Sequence, residues 1–339
     1  MIRVALDAMG GDFGPDVTVP AALAALARHT ELSLTLVGDE PALDRLLATA
    51  ALAVRARCSV VHAPQRVEMD ERPSVALRTK RESSMRMAID LVRDGHSDAC
   101  VSAGNTGALM AIARYVLKTL PGIDRPAICA TLPSLNGGTH VLDLGANVDS
   151  SSEELFRFAV MGSVLASSIE SRPTPRIALL NIGEEEIKGN DRVKQTAVLL
   201  EQSALNYCGF AEGNDIYTGK FDVIVCDGFV GNVALKASEG VAGMLSSLAR
   251  QEFSRSWLTK LSALAAAPVL RRLRDRADPR RYNGASLLGL RGIVVKSHGG
   301  ADAYSFGHAI DEAVLEVRKA VPDRISSVLE QMLVNQPVL

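Results

Sequence analysis

The alternation of short apolar runs with longer helical patterns most restricts the fold of this 339-residue chain. Several runs, such as "IRVALDA" and "RIALLNIG", are apolar on both alternating faces, which is typical of strands covered by helices on both sides. Repeated β–α alternation predicts a doubly wound, mostly parallel α/β sheet with helices on both faces. The predicted strands are 2–8, 32–38, 58–63, 98–103, 126–132, 139–145, 176–183, 222–227 and 292–298, and the predicted helices are 16–29, 41–53, 74–93, 107–119, 151–171, 190–205 and 230–250.

The composition excludes several classes of protein. A net charge of −2 gives no basic excess for nucleic acid, and no apolar run approaches the roughly 20 residues that span a bilayer. The five cysteines form no C-x-x-C pair, and the chain enters a strand at once with no signal peptide, which favours reduced thiols in a cytoplasm. We therefore expect a cytoplasmic protein, attached at most to a membrane surface. Its catalytic unit would span 1–339, as one body or two lobes.

Six turns that follow predicted strands share one composition. Ligands of doubly wound folds bind beyond the carboxyl ends of the strands, so these turns are the informative places. All six are rich in Gly, Asn, Ser and Asp, and together they predict one shared crevice. They are "DAMGGD" (7–12), "SAGNTG" (102–107), "DLGANVDS" (143–150), "NIGEEEIKGN" (181–190), "DGFVGN" (227–232) and "KSHGGADA" (296–303).

Two of these turns are typical of anion sites. "SAGNTG" and "DGFVGN" place Gly and Asn where a strand turns into a helix. Glycine lets the backbone approach a ligand, and the first N–H groups of a helix have no internal partner. With the helix dipole, such a turn suits phosphate. The alternative is a plain tight turn in which Thr106 or Asn232 only caps the helix.

Charged side chains in the other turns suggest chemistry. Lys188 in "NIGEEEIKGN" could neutralise phosphate or stabilise an oxyanion, or it could simply pair with Glu184–Glu186 at a solvated helix start. His298 stands alone, and neither a zinc-type spacing nor a G-x-S-x-G turn occurs, so direct attack by a bound substrate is the more natural chemistry. Clustered aspartates could hold a divalent metal, act as a general base or merely cap turns. These aspartates are Asp7, Asp12, Asp143, Asp149 and Asp227.

The segment 250–281 is distinct from the rest of the chain. It carries nine Arg or Lys against three acidic residues, a net of +6, and Phe253, Trp257, Leu261 and Leu264 have the spacing of one helical face. This pattern predicts an inserted amphipathic helical hairpin at 245–282, broken near Pro268. It would serve an acidic partner, an anionic membrane surface or a dimer interface. The proposed contact residues are Trp257, Leu261, Arg271, Arg272 and Arg274.

The ordered set of motifs resembles a known family. "DAMGGD", "SAGNTGA", "DLGAN", "NIGEEEIKGN", "DGFVGN" and "YNGASLLGLRGIVVKSHG" are together similar to the bacterial PlsX family, acyl-acyl-carrier-protein:phosphate acyltransferases, from Asp7 to about His298. The resemblance implies transfer of a fatty acyl group from acyl carrier protein to inorganic phosphate, for later use by a membrane glycerol-3-phosphate acyltransferase. It also implies a cytoplasmic, loosely membrane-associated homodimer without a nucleotide cofactor, whose fold is related to isocitrate dehydrogenases and phosphate acetyltransferases.

With that chemistry, roles can be assigned to the turn residues. Lys188 or nearby N–H groups would stabilise the oxyanion, Asp227 would orient phosphate or accept its proton, and His298 would protonate the leaving thiolate. We expect neither a metal nor another cofactor. Phosphate and the acyl group would be held by Asp7, Gly10, Gly11, Asp12, Ser102, Gly104, Asn105, Thr106, Gly107, Asn147, Gly228, Gly231 and Asn232.

Three other functions compete with this one. The chain could use acyl-coenzyme A instead of the carrier protein, or it could be a nicotinamide-dependent dehydrogenase of the isocitrate type. From a different class, it could be a membrane-surface scaffold for lipid enzymes that acts through 250–281. The acyltransferase hypothesis predicts that Asn105→Ala or Lys188→Ala lowers turnover tenfold or more.

Overall fold

The fold is organised by one 11-stranded sheet. The computed structural model describes residues 1–170 and 172–334, and their side chains except those of 274–277, 279 and 333–334. The strands are β1 (Ile2–Asp7), β2 (Leu32–Gly38), β3 (Cys58–His62), β4 (Ala99–Ser102), β5 (Ala127–Ser134), β6 (Gly137–Leu142), β7 (Ile177–Leu180), β8 (Tyr207–Ala211), β9 (Val223–Val225), β10 (Ala285–Leu288) and β11 (Ile293–Lys296).

Helices cover both faces of this sheet. A short 3-10 helix, Gly213–Tyr217, precedes β9, and another, Pro279–Tyr282, precedes β10. The α-helices are α1 (Pro15–Arg28), α2 (Glu40–Leu47), α3 (Leu52–Arg55), α4 (Pro73–Thr79), α5 (Ser84–Arg93), α6 (Thr106–Leu117), α7 (Ser152–Ile169), α8 (Asp191–Glu201), α9 (Gly228–Ser254), α10 (Trp257–Ala277), α11 (Ala303–Lys319) and α12 (Val321–Val334).

The sheet reverses direction near its middle. Its order is β3-β2-β1-β4-β11-β10-β5-β6-β9-β7-β8, and the first five of these strands are mutually parallel. Strand β10 is antiparallel to both neighbours, β5 is antiparallel to β6, and β6, β9, β7 and β8 are again mutually parallel. The carboxyl ends of β1, β4 and β11 therefore lie at one edge, here called the first edge. Those of β6, β7 and β9 lie at the opposite, second edge.

One apolar layer defines the face that matters for function. It packs α4, α5, α6 and the start of α9 against inward residues of both halves of the sheet, including Ala5, Cys100 and Val294. Side chains two residues apart on a strand point to the same face. The last residues of β1, β4 and β11 therefore turn toward the helices α4–α6 and α9: they are Asp7, Ser102 and Lys296.

The predicted fold class is confirmed, and the differences have local causes. All nine predicted strands are present. The structure has two more, β8 and β10, which the sequence did not predict because both are short and lack a long apolar run. The segments 41–53 and 74–93 each form two helices instead of one. In the second, the charged stretch 80–82 ends α4, and the Ser83 hydroxyl accepts a hydrogen bond from Arg86 N to begin α5. Helices α11 and α12 were not predicted.

The hairpin is present, but its break is not where the sequence predicts it. Helix α9 runs without interruption from Gly228 to Ser254, so the hairpin begins in the helix that follows β9 and not near 245. The chain turns at Arg255–Ser256, where Ser256 and Thr259 cap α10 reciprocally. Pro268 lies inside α10, so the predicted break there is wrong. Phe253 is on α9, and therefore does not share a helix with Trp257. Among helices in the described part of the chain, none is long and apolar enough to cross a membrane.

Candidate active site

Three polar side chains stand side by side at the first edge. In the strand register Asp7 pairs with Ser102, and Ser102 pairs with Lys296. Buried Ala5, Cys100 and Val294 precede them on the same face, so a carboxylate, a hydroxyl and an ammonium end three adjacent strands beyond an apolar layer. All three are at least nine-tenths buried. Such a row needs a reason beyond packing, because burying unpaired polar groups is unfavourable.

Asp7 is only partly satisfied by the protein. The Ser102 hydroxyl donates to its Oδ2 at 2.6 Å, and Gly104 N donates to the same hydroxyl at 3.0 Å. Burial raises the pKa of Asp7, while hydrogen bonds from Ser102, Ser84 and the backbone of Met9 and the charge of Lys296 oppose that shift. Within the described residues, Oδ1 is buried and has no hydrogen-bond partner. One carboxylate oxygen is therefore left for another donor.

Glycines bring the backbone close to this carboxylate. A Cβ at Gly10 would lie 2.6 Å from Asp7 Oδ2 and 2.8 Å from Gly104 N, so no larger residue fits there. Gly11 has φ +86, and a Cβ there would lie 2.9 Å from Gly299 O, the carbonyl that accepts from Asp12 N at 2.9 Å. The turns after β1, β4 and β11 are thus packed against one another. Gly10 and Gly11 are required by this close approach of neighbouring turns.

Asn105, and not Thr106 as the tight-turn alternative had it, caps α6. Its Oδ1 accepts from Ala108 N at 3.0 Å as the cap of α6. Its Nδ2 donates to the carbonyls of Met69 at 2.7 Å and Glu71 at 3.0 Å, which fixes the loop before α4 over the turn. Thr106 and Gly107 form the exposed start of α6, where the first N–H groups have no partner within the helix.

Lys296 is the residue that sequence reasoning missed. Its Nζ donates to the carbonyl oxygens of Ala103, at 3.2 Å, and Ser297. Burial lowers the pKa of Lys296 to about 8; the charge of Lys236 also lowers it, while Asp7 and Asp12 raise it. The available signal was a lysine directly at the end of a buried apolar strand, "GIVVKSHGG". Strongly shifted groups of this kind are concentrated at functional sites.

His298 lies on the exposed side of the same edge. Its backbone N donates to Asn283 Oδ1 at 2.9 Å, and its Nδ1 accepts from Gly300 N at 3.1 Å. Because Nδ1 is an acceptor, the ring proton of the neutral form is carried by Nε2. Asn283, from the motif "YNGAS", also donates to Ser297 Oγ and Ser305 O, and so holds this turn in place.

The second edge holds a different kind of carboxylate. Asp143 follows β6 and accepts four hydrogen bonds, from the N–H groups of Ile128, Ala146 and Asn147 and from Asn147 Nδ2, at 2.7–3.0 Å. Burial raises its pKa, and these four donors oppose the shift. A Cβ at Gly228 would lie 2.8 Å from Asp143 Oδ2, and one at Gly231 would overlap Asp143 O. Asn147 and both glycines thus serve the packing around Asp143.

Asp227 and Asn232 belong to the start of α9. The Asp227 carboxylate accepts from Val230 N at 3.0 Å, which is the capping role that the sequence left as the alternative. The exposed Asn232 side chain passes Gly145, where an added Cβ would lie 3.4 Å from Asn232 Cβ. Helix α9 then leaves the second edge and crosses the sheet. Lys236 comes near enough to lower the pKa of Lys296 at the first edge.

Lys188 is exposed and paired. Its Nζ lies 2.8 Å from Glu185 Oε2, and this contact raises the pKa of Lys188. Although β7 ends at the second edge, the loop after it brings Glu184 to an ion pair with Lys220, which precedes β9. The loop therefore lies beside the segment between β8 and β9. The ion pair with Glu185 is the contact that the alternative interpretation predicted.

The expectation of one crevice made by six turns at a single edge is wrong. Three of the turns lie at each edge, because the two halves of the sheet run in opposite directions. The five aspartates are divided in the same way, and nowhere in the described residues do three or more Asp, Glu, His or Cys side chains form a group that could hold a metal. Helix α9 extends from the second edge toward the first, where Lys236 lies near Lys296.

The predicted contact residues of the hairpin lie on exposed helices. Trp257 and Leu261 are 70% and 54% exposed, and Arg271 and Arg272 are exposed on α10. The Arg274 side chain lies outside the described residues. The base of the hairpin adjoins the first edge, since Lys236 lies near Lys296 and Arg280, just after α10, pairs with Asp302 at 2.8 Å.

Comparison with known proteins decides the family. A model of the family described as fatty acid synthesis protein matches residues 2–324. A phosphate acyltransferase of Alkalilimnicola ehrlichii is 61% identical over 98% of this chain and 97% of its own, and one of Legionella pneumophila is 56% identical over 100% and 99%. The chain belongs to the PlsX family. Membership places it among the phosphate acyltransferases of fatty acid and phospholipid synthesis.

Solved structures support the fold of this PlsX family member. A phosphotransacetylase from Streptococcus pyogenes is similar with a TM-score of 0.63 at 16% identity, over 94% of each chain. The EutD phosphotransacetylase from Staphylococcus aureus gives 0.60 at 15% identity, also over 94% of each chain. At these identities the likeness concerns the fold, and it confirms the predicted relation to phosphate acetyltransferases.

Proposed function

We propose that this chain transfers a fatty acyl group from acyl carrier protein to inorganic phosphate, giving acyl phosphate for phospholipid synthesis. The observation that carries the proposal is the convergence of the glycine-rich turns on Asp7, Ser102 and Lys296 at the first edge. There, backbone N–H groups, a buried cation and a carboxylate oxygen meet beside the start of a helix. Phosphate is an anion that can use all of these groups.

The chemistry needs no enzyme nucleophile. A phosphate oxygen attacks the thioester carbonyl carbon, a C–O bond forms, and collapse of the tetrahedral intermediate breaks the C–S bond. The thiolate takes a proton, for which His298 Nε2 is the proposed donor. Lys188 and the N–H groups after Ser102 are the proposed oxyanion donors; one well-aimed donor contributes about 3–4 kcal/mol. Lys188 would exchange its exposed contact with Glu185 for the substrate, which costs little.

The hairpin supports the choice of a protein donor. A segment of net +6 that rises next to the first edge suits an acidic surface, and acyl carrier protein is acidic. Exposed apolar residues on both helices, including Met244, Leu248, Trp257 and Leu261, also suit an anionic membrane surface, where a membrane glycerol-3-phosphate acyltransferase would take up the product. The proposal also includes, as the family resemblance implies, that the protein is a cytoplasmic, peripherally membrane-associated homodimer.

The test combines purified protein, phosphate and palmitoyl-acyl carrier protein, with palmitoyl-coenzyme A in a parallel reaction. Acyl phosphate is trapped as hydroxamate. The proposal expects phosphate-dependent hydroxamate from the carrier-protein thioester. Product from coenzyme A alone would instead make this an acyl-coenzyme A-dependent enzyme, and no product from either would leave the scaffold function.

The hairpin has its own test. Association with acyl carrier protein or with anionic vesicles is expected to weaken as salt rises, because the attraction is electrostatic. Binding that does not change with salt would assign the contact to the apolar face.

In the hydroxamate assay, Asn105→Ala and Lys188→Ala are expected to lower turnover tenfold or more with the fold retained. Wild-type turnover in these variants would remove the two residues from the site.

A further inference from the structure

We propose that Lys296 is the cation that binds the phosphate nucleophile, and that Asp7 accepts a hydrogen bond from the remaining O–H of that phosphate. This inference rests on the proposed function, and it assigns a role to a lysine that the motif pattern did not single out.

The first argument is that Lys296 makes no direct ion pair, although the charges of Asp7 and Asp12 act on it from farther away. Its Nζ bonds only to backbone carbonyls in the described part of the chain, and no described carboxylate lies within ion-pair distance. A buried ammonium without a direct ion pair is unfavourable for folding. The strand register fixes it beside Ser102, so the chain keeps a costly cation at the place where the turns meet. A bound anion would supply the direct partner that Asp7 and Asp12 do not.

The second argument is the free oxygen of Asp7. Asp7 is 1% exposed, and its Oδ1 needs a donor that the described residues do not provide. Hydrogen phosphate has unprotonated oxygens that can accept from Lys296. It also has one O–H group that can donate to Asp7 Oδ1. Sulfate at neutral pH has the same shape but no O–H, so the carboxylate would repel it. Lys296 and Asp7 together therefore predict that the site binds phosphate in preference to sulfate, which a lysine alone would not give.

Other cations near the site are less suited to this role. Lys236 is more than one-third exposed and pairs with Glu239 at 2.8 Å, and Lys188 is exposed and pairs with Glu185. Lys236 can act at the rim of the site. Lys296 is held in register with Ser102, whose hydroxyl is already bonded to Gly104 N and Asp7 Oδ2.

The central variant is Lys296→Gln, because its amide can still donate to the carbonyls of Ala103 and Ser297 while the charge is lost. Calorimetric titration with inorganic phosphate is expected to show at least a 30-fold weaker affinity than wild type. Lys296→Met is the second variant, for the case that the amide disturbs the fold. Lys319→Met, at the end of α11, is the matched control and is expected to bind phosphate with wild-type affinity. Circular dichroism checks that each variant is folded.

The second arm replaces Asp7. Wild-type protein is expected to bind phosphate at least tenfold more tightly than sulfate, and Asp7→Asn is expected to reduce that preference to less than threefold. Phosphate affinity of wild-type strength in a folded Lys296→Gln variant would overturn the inference. So would equal binding of sulfate and phosphate by wild-type protein.

Kinetics separate this inference from the proposed function. If Lys296→Gln raises the phosphate KM and leaves the acyl-acyl carrier protein KM unchanged, both stand. If wild-type protein makes acyl phosphate and the variant has a normal phosphate KM, the inference fails while the function stands. If wild-type protein binds phosphate through Lys296 but makes no acyl phosphate, the function fails while the phosphate site stands.

Discussion

Asp7 and Asp143 are both aspartates at the carboxyl ends of buried strands, yet the protein treats them differently. Asp143, at the second edge, accepts four hydrogen bonds from its own surroundings. Asp7, at the first edge, accepts a close hydrogen bond from Ser102, with Ser84 and the Met9 backbone also acting on it, and keeps one buried oxygen, Oδ1, without a partner in the described residues. Burial raises the pKa of both, so burial alone does not distinguish them.

The difference separates a structural carboxylate from one left open for a ligand. A saturated buried polar group stabilises the fold, and a partly satisfied one has a cost that a bound substrate can remove. Similar sequence patterns, "DAMGGD" and "DLGAN", thus mark two roles. The second-edge cluster holds β6, β9 and the start of α9 together, and the first-edge cluster is the candidate phosphate site.

The largest expected effect is on stability at the second edge. Asp143→Ala leaves four donors around the site without their acceptor, which is expected to lower the free energy of unfolding by about 3–4 kcal/mol. Urea unfolding followed by circular dichroism measures this loss. If the variant unfolds at the wild-type urea concentration, Asp143 is not the structural member of the pair.

The next effect is on activity at the first edge. Asp7→Asn keeps the size of the side chain but weakens the acceptor that phosphate needs, and it is expected to lower kcat/KM for phosphate on the order of 100-fold. Its urea midpoint is expected to stay near that of wild type. A variant that keeps its phosphate kinetics but unfolds early would give Asp7 the role assigned here to Asp143.

The smallest expected effect is a pH dependence that only the first edge should show. Lys296 binds an anion in its protonated form, and its pKa in the folded protein is lowered to about 8 by burial and Lys236, against Asp7 and Asp12. Phosphate affinity is therefore expected to be retained below pH 8 and to fall up to tenfold per unit above it, where phosphate stays largely dianionic. Calorimetry from pH 7 to 10 measures this. An affinity that stays constant to pH 10 would contradict a role for Lys296.

The sequence predicted the architecture well because its signals are local. Apolar runs that alternate with helical periods define β1, β4 and β11, and the glycines at 10, 11 and 104 lie where close backbone approach requires them. The family resemblance rested on the same turns, and the comparisons confirm it.

The arrangement of the site was not predictable in the same way. Whether β6 and β9 run with β1 or against it depends on β5 and β10, and β10 is a four-residue strand with little pattern of its own. The six turns therefore looked equivalent although they occupy two edges. Likewise, the burial of Lys296 and the four donors to Asp143 arise from long-range strand pairing, which local spacing does not contain.

The most direct test of the account is a crystal structure of the protein with bound inorganic phosphate. The account predicts the anion at the first edge, with one oxygen within 2.7–3.2 Å of Lys296 Nζ and another near Asp7 Oδ1. A phosphate bound instead at the second edge, on the N–H groups of the Gly228–Asn232 turn, would contradict it.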